Sequence, residues 1–128
     1  MPVERINPEG VAKPPGYSHV VKVGNTVYIA GQVARDLNGN PVGAGDFAKQ
    51  TEEVFRNLKT CLASVGASIS NLAKITILLT RAEDVAAFRE IRDRYLDPNN
   101  LPASTLMVIS RLAHPDFLVE IEGIAVLG

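Results

Sequence analysis

Apolar and polar positions along this chain follow two rhythms, one of two residues and one of three to four. The switches between them predict the elements. His19–Val23 and Thr26–Gly31 are β-rich runs parted only by Gly24-Asn25. Two residues is the commonest hairpin loop, and the order Gly-Asn suits a type II′ turn. A turn cluster follows at Asn38-Gly39-Asn40-Pro41, with Gly43 and Gly45 close behind. The rhythm then lengthens: Phe47, Val54, Leu58, Cys61, Leu62 and Val65 recur at helical steps, while Lys49, Glu52, Glu53, Arg56 and Lys59 fill the other face. Asp46 is a good N-cap and Gly66 a good residue just past the end. Lys74–Thr80 alternates and is β-branched, hence a strand; a second helix runs from about Glu83 to Tyr95, striped by Val85, Phe88, Ile91 and Tyr95. Pro98 and Pro102 end it. Two last strands cover Ala103–Ser110 and Phe117–Val126, joined through His114-Pro115-Asp116. About residues 1–16, rich in proline and glycine, read as an irregular arm.

The order β-β-(β)-α-β-α-β-β predicts an α+β fold, with two helices covering one face of one mixed sheet. Several strands are nevertheless apolar on both sides: Val27 and Ile29 oppose Tyr28 and Ala30, and Met107 and Ile109 oppose Leu106 and Val108. A sheet with one wet face alternates more cleanly. The second face is therefore expected to be buried by other copies of the chain, most simply in a closed ring.

Composition narrows the function. At 128 residues the chain fits one domain, 1–128. A net charge of −1 and 5% aromatics give no pull toward nucleic acid or anionic lipid, and few platforms for stacking bases. The single cysteine, Cys61, excludes an internal disulfide and any multi-cysteine zinc site. The start lacks a secretion-signal pattern and no apolar run approaches membrane-spanning length, so the expected setting is soluble and cytoplasmic. His19 and His114 stand without a ligand-spaced acid cluster, so no metal site is expected.

Chemistry concentrates in the last strand. Alternation puts Glu120 and Glu122 on one face, Val119 and Ile121 on the other. Two readings compete. Beside a pocket, partial burial would raise one carboxyl and make it a general base. On a solvated edge, both acids would simply discourage aggregation, and structural carboxylates outnumber catalytic ones. Gly16-Tyr17 and Gly31-Gln32 flank the first hairpin; a glycine there admits a ligand close to the backbone, and Tyr17 offers a phenol, although turn punctuation and packing account for them equally. Arg89 and Arg92 share a helix face, where surface ion pairing competes with an anion clamp.

Together these residues resemble the Rid family (YjgF-like proteins, also labelled L-PSP endoribonucleases), over about Asn7 to Val126. The marks are Pro15-Gly16-Tyr17-Ser18, Gly24-Asn25, Tyr28-Ile29-Ala30-Gly31-Gln32, Gln50-Thr51, Asn57-Leu58, Leu101-Pro102-Ala103-Ser104, Arg111-Leu112 and the ending Val119–Val126. The resemblance implies a chorismate-mutase-like α+β fold, a homotrimer with ligand clefts between subunits, and cofactor-free hydrolysis of reactive 2-imino acids to 2-keto acids and ammonia. By the same resemblance Glu120 matches the acid that activates water, Tyr17 the site tyrosine, and Gly31 the cleft-facing glycine. Two positions depart from the deaminating members: Ser104 stands where they carry the arginine that grips the substrate carboxylate, and Ala30 where serine is usual. Arg89 falls where they tend to carry asparagine near the cleft, which makes it the candidate substitute.

The expected function is thus hydrolysis of a small imine or enamine, on a substrate different from the short 2-imino acids. A trimer that binds a small metabolite without turnover is the alternative. RNA cleavage, suggested only by the family label, ranks last for a chain of this charge.

Overall fold

The computed structural model describes residues 2–128. Its elements run β1 (Val3–Ile6), β2 (Val20–Val23), β3 (Thr26–Gln32), α1 (Phe47–Ala63), β4 (Leu72–Leu79), α2 (Val85–Tyr95), β5 (Ala103–Val108) and β6 (Val119–Val126). The predicted hairpin is β2–β3: Val23 faces Thr26 across the two-residue loop, and Gly24 takes φ 59° while no non-glycine residue has positive φ. That is the type II′ pattern. Asp46 caps α1 by accepting from the Lys49 N–H at 3.0 Å. Gly66, at φ 73°, ends it in a Schellman arrangement, with Ala67 N–H donating to Leu62 O and Gly66 N–H to Ala63 O.

The N-terminal arm departs from expectation. Val3 to Ile6 pair antiparallel with Val23 to Val20, so the arm begins with a strand instead of being irregular throughout. Its prolines flank that run without interrupting it. The bracketed third strand of the expected order is supplied here, ahead of the hairpin; residues 33–42 contribute only an isolated bridge, Arg35 to Pro41.

The strands form one mixed sheet in the order β1-β2-β3-β6-β4-β5. β6 lies in its middle, antiparallel to β3 and β4, while β4 and β5 are parallel and connected through α2. Both helices pack on the face carrying Val27, Ile29, Ile75, Ile77, Val119 and Ile121, all buried. Phe55 of α1 stacks on Tyr95 of α2 at 4.6 Å between ring centres and joins the helices. Cys61 lies in this core, and burial pushes its thiol up to about 12, which makes it an inert hydrophobe.

No helix covers the other face. Val21, Tyr28, Lys74, Thr76, Glu122 and Ile124 line a depression of about 480 Å³ there. Among the described residues, no helix is long and apolar enough to cross a membrane.

Polar tethers tie α1 to the connections around β3 and β6. The Gln50 side chain is fully buried; its Nε2 donates to Gly43 O (3.0 Å) and Asp116 O (2.7 Å), and its Oε1 accepts from Leu118 N–H (2.9 Å). Asn57 Nδ2 donates to Val33 O at 3.1 Å. Replacing Gln50 by leucine strands three backbone groups, each costing about 1–3 kcal/mol when buried without a partner. Partial relaxation leaves an expected loss of about 2–4 kcal/mol, read from the denaturant midpoint of Gln50→Leu against wild type.

Candidate active site

Three of the five residues singled out in the sequence meet in one cleft. Tyr17, Gly31 and Glu120 line a cavity of about 340 Å³ together with Pro15, Val33, Arg35, Ala113 and Phe117. Its floor is made by a register shift. Ile29 pairs with Gly123 but Gln32 with Ile121, so β3 carries one residue more than β6 opposite it. Such a bulge re-aims the side chains and backbone beside it. Here it brings Gly31 directly beneath the Glu120 side chain: a Cβ built on Gly31 would lie 2.7 Å from the Glu120 Cδ and 2.9 Å from its Cγ. Gly31 is required by proximity, because any larger residue would displace the acid.

Glu120 is half-buried, and its pKa is raised above the ordinary carboxylate range. Desolvation is the largest cause, repulsion from the like charge of Glu122 adds to it, and attraction from Arg35 opposes both. The two acids therefore part company. Glu122 is exposed and serves to lift its neighbour, whereas Glu120 sits in the cleft at a raised pKa.

The tyrosine wall is held by a relay from the hairpin. His19 is buried; its Nε2 donates to Ala12 O at 2.6 Å, and its Nδ1 accepts from Gln32 Nε2 at 3.1 Å. Gln32 Nε2 also donates to Ala30 O at 3.0 Å, which fixes the amide orientation and so assigns the His19 tautomer. Tyr17 rests edge-on against the His19 ring, centroids 5.7 Å apart. His19 is thus a structural clamp. Among the described residues no group of three His, Cys, Asp or Glu could hold a metal ion.

Arg35 was missed by the sequence reading. Gly31, Val33 and Arg35 keep the period-two alternation of β3 beyond its last paired residue, and that rhythm was the available signal. Its guanidinium carbon stands 5.1 Å from the centre of the Phe117 ring, a cation–π distance. Its Nε is buried with no hydrogen-bond partner. A guanidinium N–H kept from water without an acceptor costs about 1–3 kcal/mol.

Ser104 and Arg89 lie elsewhere within one chain. Ser104 is exposed on the edge strand β5, opposite Ile75 of β4. Arg89 is exposed on α2. The helices cover the Val119–Ile121 face, so the sheet separates Arg89 from the cleft of its own chain.

An acid of raised pKa over a backbone glycine, beside a phenol and a guanidinium, is an arrangement able to act as a general base on a small molecule. The family described as endoribonuclease L-PSP matches residues 10–127, and the chain belongs to this family, the Rid family. It is 36% identical to a RutC family protein of Pyrococcus abyssi over 98% of both chains. It is 31% identical to the human 2-iminobutanoate/2-iminopropanoate deaminase, covering 91% of this chain and 87% of that one. Among solved structures, RidA from the Antarctic bacterium Psychrobacter superposes with a TM-score of 0.89 at 31% identity, over 97% of this chain and 99% of that one.

The raised acid has consequences for stability and titration. A carboxyl raised in the folded state costs nothing at low pH, where it is protonated both folded and unfolded. Its penalty grows as pH climbs from the unfolded pKa to the folded one, and is complete above that. Glu120→Gln is therefore expected to raise the melting temperature at pH 7 and leave it unchanged at pH 3. In Glu122→Gln, the Glu120 carboxyl, followed by carbon-13 NMR, is expected to titrate at lower pH than in wild type, because the repulsion is gone.

Proposed function

We propose that this protein hydrolyses a small reactive imine or enamine to a carbonyl compound and ammonia, with Glu120 as the base. The observation that carries the reading is the Glu120 carboxylate held over Gly31 in a cleft of small-metabolite size. The deaminase relatives support the reaction class. Glu120 takes a proton from a water as its oxygen bonds to the imine carbon, and the C=N double bond becomes single. The proton passes to the nitrogen. The new hydroxyl then gives its proton through Glu120 to the same nitrogen, the C–N bond breaks, and ammonia leaves a C=O behind. The raised pKa suits a group that must both accept and return a proton. Tyr17 donates its hydroxyl to the substrate, and the Gly31 backbone admits it.

The working form in this proposal is a cytoplasmic homotrimer. Its support is the uncovered sheet face, where Tyr28 remains 47% exposed beside Val21 and Ile124, and the apolar edge of β5, where Met107 and Val108 are exposed. In such an assembly Ser104 would face a neighbour's cleft. A serine there supplies one neutral hydroxyl in place of a bidentate cation, whose charge-assisted bonds are each worth about 1.5–3 kcal/mol. Unless another cation of the cleft compensates, short 2-imino acids are then poor substrates. The same serine is what favours the second reading, a trimer that binds a metabolite without turnover.

Ammonia release from imines generated in situ by an amino-acid oxidase checks the reaction. Acceleration over buffer, reduced at least about 100-fold in Glu120→Gln, is the expected result. Silence across a broad imine panel, alongside tight metabolite binding, would leave only the binding reading. Ser104→Arg is expected to gain activity on iminopropanoate and iminobutanoate. Sedimentation equilibrium is expected to give three times the chain mass; a monomer at micromolar concentration contradicts the assembly.

A further inference from the structure

Arg35 lines the cleft and carries, among the described residues, the one buried side-chain polar atom without a hydrogen-bond partner, its Nε. Its backbone is immobilised from both sides: the Arg35–Pro41 bridge closes the loop, and Asp36 Oδ1 accepts from the Asn38 and Asn40 N–H groups at 2.9 Å each. The Phe117 ring holds the guanidinium, and Gln50 in turn holds the strand entry on either side of Phe117 through Asp116 O and Leu118 N–H. Glu120 lies near enough to feel its charge, yet the buried Nε has taken no acceptor from the chain. A cation fixed in a cleft with a donor left open is arranged for an acceptor that arrives from outside. The planar fork of a guanidinium fits a carboxylate in two parallel hydrogen bonds, a fit that a hydroxyl or an amide lacks.

We infer that Arg35 is the anion anchor of this cleft, and that the ligand is a small 2-oxo or 2-imino acid whose carboxylate sits on Arg35 with its neighbouring carbon against Glu120. The inference rests on the imine-hydrolase reading for the reacting group, and on Arg35 for the anion. It makes the substrate acidic even though position 104 holds serine. The anchor moves from the β5 edge to the extension of β3, so the carboxylate is gripped from within the chain that supplies Glu120. Arg35, not the solvent-facing Arg89, then fills the role of the missing cation. The charge also offsets repulsion between an incoming carboxylate and Glu120.

The test is binding, which does not depend on turnover. Wild type, Arg35→Met and Arg35→Lys are titrated at pH 7.5 with a panel of 2-keto acids, from pyruvate to phenylpyruvate, and with their methyl esters. Amide chemical shifts report both affinity and fold. Wild type is expected to bind at least one acid ten times or more tighter than its ester. Arg35→Met is expected to lose that preference with ester binding unchanged, and Arg35→Lys to keep part of it. Loss of the positive charge also raises the Glu120 pKa, which lessens repulsion on the acid and so works against any loss of preference; a lost preference therefore reports the anchor. The inference is overturned if no acid outbinds its ester in wild type, or if Arg35→Met retains the preference. It is equally overturned if Arg35→Met dissociates the assembly while the preference survives in the separated chains. Acid binding without ammonia release from any imine would sink the hydrolase reading and leave the anchor standing.

Discussion

The site depends on the contact between the Glu120 side chain and the bare backbone of Gly31. An acid half-withdrawn from water is costly to hold, and it stays where it is because Gly31, beside the bulge in β3, has no side chain to fill its place. That contact sets desolvation, the largest influence on the carboxyl. Glu122 and Arg35 then adjust it in opposite directions. One extra residue in one strand thus creates both the space and the electrostatics of the cleft.

The rest of the fold serves to keep that bulge in register. β6 carries Glu120 between two antiparallel partners, so the acid cannot shift along the strand without breaking two ladders. Gln50 and Asn57 reach from α1 to the backbone on either side of the cleft, at Leu118 and Val33. His19 and Gln32 bind the arm that carries Tyr17 to the hairpin. These buried amides and the imidazole have their hydrogen bonds satisfied, and a satisfied polar network specifies geometry more tightly than apolar packing alone. Several residues that mark the family resemblance, Gln50, Asn57 and Gln32 among them, are such tethers.

Arginine at 35 places a cation in the wall of the cleft, while position 104 on the β5 edge holds a neutral serine. The apolar sheet face and the exposed edge of β5 give the proposed trimer its surface. In that proposal the assembly and the chemistry are coupled, since Glu120 shares its side of β6 with Glu122 on the uncovered face.

The amino-acid sequence by itself determined both helices and the caps of α1, the type II′ hairpin, the five strands after the arm, and the side of β6 on which Glu120 lies. Each of these follows from propensity and period, which are properties of neighbouring residues. It also carried the family, through short marks in a fixed order. Tertiary structure decided the strand in the arm, because Val3 to Ile6 are extended only by pairing with β2. It decided which of the two glutamates enters the cleft, and that His19 is a clamp. It alone brought Arg35, Phe117 and Glu120 together. Those three come from the extension of β3, from the entry to β6 and from β6 itself, and their meeting depends on the bulge that offsets β3 against β6. Register between strands distant in sequence is fixed by the folded sheet, and no local rhythm encodes it.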